Sequence, residues 1–146
     1  ETILDNVSFI YSDLYKMTSF GRYFRVTMLC SEKLRQVVHQ CIIYRKKLHE
    51  QYGYYAVTSK IIVSDYLFFL QIPFEQIWKT ETIIAIYEGN GISEQGSWCT
   101  QQALCADVVF RNRSFWSIYG DFLKWKLKRF IPLKIREIIR LKFSGV

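Results

Sequence analysis

The chain has 146 residues, half of them hydrophobic and 17% aromatic, which suits one domain with a substantial core and excludes a disordered segment. Its net charge of +7 is unevenly placed: residues 121–146 carry eight Lys or Arg against two acids, while residues 1–120 carry twelve against eleven. A nucleic-acid-binding body would spread its cations over the fold, so no nucleic-acid partner is expected.

The chain opens on Glu1 rather than Met and reads as a piece of a longer protein, without a signal-like segment. VSFIY at 7–11 combines β-branched and aromatic residues and predicts a strand ending at Ser12-Asp13, followed by a polar stretch. VVHQCIIY at 37–44 predicts a second strand or buried edge. RKKLHEQY then predicts a short helix stopped by Gly53, and residues 54–62 read as irregular. From Ser64, a good N-cap, the pattern turns helical, with Tyr66, Phe69 and Leu70 on one face and Pro73 as its end. TIIAIYE at 82–88 predicts a strand, GNGISEQG a glycine-rich loop, and residues 98–110 a helix. The alternation places the chain in the α/β class. The apolar runs YLFFLQI and IIAIY fall short of the roughly 20 residues needed to cross a bilayer.

Several chemistries are absent from the pattern. A dinucleotide fingerprint beginning at Gly89 would need glycine where Glu94 stands, and no GK[ST] follows. There is no HExxH and no G-x-S-x-G, and the four cysteines lack CxxC spacing. Taken alone, His39 reads as a core or loop histidine, and Asp65 as a first-turn acid favoured by the helix dipole or as a catalytic base.

Four elements in order carry more: His39-Gln40, Gly53-Tyr54-Tyr55, Asp65-Tyr66 opening a helix, and Gly91-Ile92-Ser93 after a strand. Over about residues 3–110 this succession resembles the C-terminal, acceptor-side half of bacterial family 2 glycosyltransferases, the GT-A type enzymes of lipopolysaccharide and capsule synthesis. The resemblance implies the C-terminal portion of a GT-A, Rossmann-like domain over residues 1–112, and an inverting transfer from a nucleotide-sugar donor to a glycan or lipid-linked acceptor. It also implies Asp65 as the base, with His39, Gln40, Tyr66, Gly91, Ile92 and Ser93 lining the substrates. Ala56 stands where family members often carry an acid. No Asp-x-Asp occurs, so the divalent Mg or Mn and the nucleotide-binding half are expected upstream, and these residues alone are expected to be inactive.

Residues 113–146 form a basic, amphipathic helical tail in which Pro132 is suited to the first position of a second helix. Leu133, Ile135, Ile138, Ile139 and Phe143 gather on one side of it, as in an interfacial helix on anionic lipid. That reading implies a peripheral protein on the cytoplasmic, inner face of the plasma membrane; a helix packed on the domain is the other. The rival to an enzyme is a non-catalytic α/β module that binds a membrane or protein partner.

Overall fold

The computed structural model describes residues 6–32, 34–56, 58, 60–88, 97–111 and 114–143. Two consecutive strands, β1 (Phe9–Tyr11) and β2 (Leu14–Met17), form a spine on which two three-stranded sheets are built. β3 (Tyr23–Val26) pairs antiparallel with β2, and the hairpin β4 (Leu29–Ser31) with β5 (Leu34–Gln36) follows. β6 (Ile42–Tyr44) runs antiparallel to β1, and β7 (Ile77–Lys79) runs parallel along its other edge. β8 (Ile86–Tyr87) pairs parallel with β2. The fold is mixed α/β, with helices α1 (Lys47–Tyr52), α2 (Ser64–Gln71), α3 (Ser97–Arg111), α4 (Phe115–Lys128) and α5 (Leu133–Phe143).

The junction between β1 and β2 is held by a buried carboxylate. Asp13, 3% exposed, accepts 2.7 Å contacts from Lys79 of β7 and Arg25 of β3, and a 3.0 Å bond from the Met28 amide. Burial alone would raise its pKa, but Lys79, the Met28 amide and Arg25 outweigh that and hold it below the ordinary carboxylate range. One side chain thus ties the two sheets together. Phe9, Leu14, Leu48, Phe68, Phe69 and Ile72 form the centre of the core, with Phe9 meeting Phe69 edge-on at 5.3 Å. α2 is fixed to the sheet through Phe68 and Phe69.

The expected elements are placed with five corrections. The segment 37–44 is a strand only over Ile42–Tyr44; His39–Cys41 forms a 3-10 turn, closed by the Cys41 amide on the Val38 carbonyl. That turn sends Cys41 into the core and leaves His39 and Gln40 outside. The stretch after Ser12-Asp13 holds β2, β3 and β4, and strand 82–88 shrinks to Ile86–Tyr87 while β7 forms earlier. Ser64 is the first helical residue and makes no capping bond; Val63 occupies the cap position. Pro132 stands just before α5, its carbonyl accepting from the Arg136 amide. Gly53 ends α1 as expected, at φ 86°, with its amide on the His49 carbonyl.

The tail reaches back to the body. Glu137 of α5, 6% exposed, accepts a 2.6 Å bond from the Ser19 hydroxyl and a 3.2 Å bond from the Ser19 amide. Ser19 lies in the tight turn joining β2 to β3, where Gly21 adopts φ 73° and the Thr18 hydroxyl accepts from the amides of Phe20 and Arg22. Among the described residues, no helix is long and apolar enough to cross a membrane.

Candidate active site

Asp65 stands in the first turn of α2, its side chain about one-third exposed (32%), at a helix end rigidly seated by Phe68 and Phe69 one turn on. Its two oxygens are held differently. Oδ1 accepts the Tyr66 amide at 2.8 Å, and Oδ2 lies 3.0 Å from His39 Nδ1. A carboxylate only accepts, so the hydrogen sits on His39 Nδ1. Nε2 of that ring makes no hydrogen bond among the described residues, and the side chain is 59% exposed. The 3-10 turn and the start of α2, 26 positions apart in sequence, therefore present one His–Asp pair at the surface.

An aromatic cluster lies beside it. His49 is sandwiched between Tyr54 at 5.0 Å and Phe68 at 4.6 Å, both nearly parallel. Its Nδ1 donates to the Gly53 carbonyl, which leaves Nε2 to accept the Tyr44 hydroxyl at 3.0 Å; the Tyr55 hydroxyl then donates to Tyr44 at 2.7 Å. Burial, the bond to Tyr44, that neighbour's charge and the Asp65 carboxylate together push Tyr55 above the ordinary tyrosine range. Tyr55 consequently stays a neutral donor at physiological pH.

Tyr66 points elsewhere: its hydroxyl donates to the buried Asp107 of α3. A second latch joins α3 to the segment leading into α2, since the Gln102 side chain accepts from the Ile62 amide and donates to the Lys60 carbonyl. Beneath these contacts, an apolar groove of about 300 Å³ runs between α2 and α3, lined by Val63, Leu67, Cys105 and Val109. Val63 and Leu67 are one turn apart on the side of the helix opposite Asp65, so the groove belongs to helix packing and not to the His–Asp pair.

Of the residues singled out in the sequence, His39 and Asp65 are brought together, Gln40 sits exposed next to His39, and Tyr66 serves the α2–α3 contact. Gly91, Ile92 and Ser93 lie outside the described residues. Sequence reading missed His49, Tyr44 and Asp107. For Asp107 a signal existed, as the sole acid in the helix SWCTQQALCADVVFR. Among the described residues no group of three or more His, Cys, Asp or Glu is arranged to hold a metal ion. Compared with protein-family models, curated proteins and solved structures, the chain matches none.

Proposed function

We propose that this chain is the acceptor-side part of an inverting, GT-A type glycosyltransferase of the family 2 kind, with Asp65 as the general base. The observation that carries the reading is the His39–Asp65 contact: two residues singled out separately by the resemblance meet at 3.0 Å on an accessible surface. In the reaction, the Asp65 carboxylate takes the proton of an acceptor hydroxyl as its oxygen attacks the anomeric carbon from the side opposite the nucleoside diphosphate. The new C–O bond forms as the bond to the diphosphate breaks, the diphosphate leaves with the electron pair, and the configuration inverts. His39 acts through Asp65, as a positioning residue: its Nδ1–H fixes one carboxylate oxygen, while the Tyr66 amide fixes the other. The nucleotide-binding strands and the divalent metal belong, on this reading, to sequence upstream.

This division of labour is directly testable. The isolated 146 residues should neither transfer sugar nor bind uridine or guanosine diphosphate in the presence of Mn²⁺, whereas the protein produced with its preceding coding sequence should release nucleoside diphosphate in an acceptor-dependent manner. Calorimetry giving micromolar nucleoside diphosphate binding to the isolated chain would overturn the assignment of the donor site to upstream sequence. Absence of acceptor-dependent release from the longer protein, across common nucleotide sugars and a cell-envelope acceptor extract, would overturn the transferase.

A further inference from the structure

The second tail helix is dressed the wrong way round for a helix packed in water, and the first carries more apolar surface than it buries. In an amphipathic helix on a soluble domain the apolar stripe faces inward. α5 instead docks by its charges: Glu137 is buried against Ser19, and Arg136 has its Nε buried without a hydrogen bond. Its isoleucines, Ile135, Ile138 and Ile139, are each about half exposed. α4 carries two stripes. Ile118, Phe122 and Trp125 form one, with Ile118 buried and the two aromatics flanking a recess that Gln101 of α3 and Phe130 also line. The other, Trp116, Tyr119, Leu123, Leu127 and then Phe130 in the following turn, recurs at spacings of three and four and stands in solvent, with Trp116 76% and Phe130 81% exposed.

The charge around these stripes selects what covers them. Lys124, Lys126, Lys128 and Arg129 are exposed along α4 and its end, and Arg129 is stacked over Trp125 at 5.2 Å. Of the two acids in residues 121–146, Glu137 is turned into the body and Asp121 lies 3.8 Å from Lys124, so the outward face is left basic. A second copy would bring the same positive charge to the contact and be repelled. From these observations we infer that the outer stripe of α4, together with the isoleucines of α5, is a docking surface for an anionic lipid bilayer, with the aromatic and aliphatic side chains entering the headgroup boundary and the Lys and Arg side chains meeting lipid phosphates. The structure moves the weight of this surface from the second tail helix, where sequence periodicity put it, to the first. The inference is independent of the transferase reading, because no residue of the His–Asp pair takes part.

Co-sedimentation of the 146-residue chain with vesicles tests it. Binding is expected to phosphatidylglycerol–phosphatidylcholine vesicles and not to phosphatidylcholine alone, and it should weaken as salt rises. Leu127→Glu with Phe130→Glu should reduce the partition coefficient by about tenfold or more while leaving the melting temperature in buffer unchanged, since both positions are already exposed. Changing Lys124, Lys126, Lys128 and Arg129 to Gln should weaken binding and flatten its salt dependence. As an independent readout, tryptophan emission should shift to the blue on anionic vesicles, and Trp116→Phe should remove much of that shift. No binding to anionic vesicles at low salt would overturn the inference. So would a Leu127→Glu/Phe130→Glu variant that binds like the parent, one that melts earlier without lipid, or a lipid-free oligomer dissociated by those two changes, which would assign the face to protein packing.

Discussion

On the transferase reading, Asp65→Asn in the protein produced with its preceding coding sequence is expected to lower kcat by about 10²-fold or more, the scale of general-base removal, with nucleotide-sugar affinity nearly unchanged. The amide is close in shape to the carboxylate, and its oxygen still accepts the Tyr66 amide, so the start of α2 should hold its geometry while losing the proton acceptor. His39→Ala should fall between the two, with kcat down by about tenfold, because it removes one charge-assisted hydrogen bond to Oδ2 and leaves the base itself in place. Steady-state kinetics with donor binding measured separately distinguishes the roles. A fully active Asp65→Asn enzyme would reduce Asp65 to a first-turn acid and remove the basis for the transferase. If His39→Ala is fully active while Asp65→Asn is dead, only the positioning role of the histidine is lost.

A second large effect is expected far from that surface. Asp13→Ala should destabilise the fold by about 3 kcal/mol, because it takes away two ionic partners and leaves the buried Met28 amide without its acceptor. The figure sits at the lower end for a broken buried pair, since Arg25 and Lys79 are partly exposed and can turn to water. Asp13→Asn is the sharper test, because it keeps an acceptor for Met28 and removes only the charge. Folding depresses the Asp13 pKa. Its contribution is therefore complete above the unfolded carboxylate value of about 4 and disappears as pH falls through the lower folded value. Urea midpoints of wild type and Asp13→Asn should stand well apart at neutral pH and converge in acid. Midpoints separated by the same amount at every pH would show that the charge at Asp13 contributes nothing.

Both residues illustrate how far the sequence could be read. The strand at VSFIY, the helix stopped by Gly53, α2 ending before Pro73 and the helix from Ser97 follow from local signals, because periodicity and glycine or proline punctuation act over a few residues. β2, β3 and β7 escaped because they are three or four residues long and mix Lys16, Arg25 or Lys79 with apolar neighbours; only pairing across the sheet makes them strands. Asp13 looked like a loop acid for the same reason, its partners lying 12 and 66 positions downstream. His39 and Asp65 were legible as positions and not as a pair. The aromatic sandwich around His49 and the Tyr66–Asp107 bond depend wholly on which elements meet in space.

The spine also sets a schedule for the protein's birth. β1 and β2 leave the ribosome ahead of their later partners, and β2 acquires its second neighbour only when Tyr87 has been made, roughly 70 residues later, or about 4–14 s at ordinary rates of elongation. Until then β2 can borrow only β3, with an open edge on its other side. Synonymous codons that slow translation between the two strands would lengthen that exposure without altering a single amino acid.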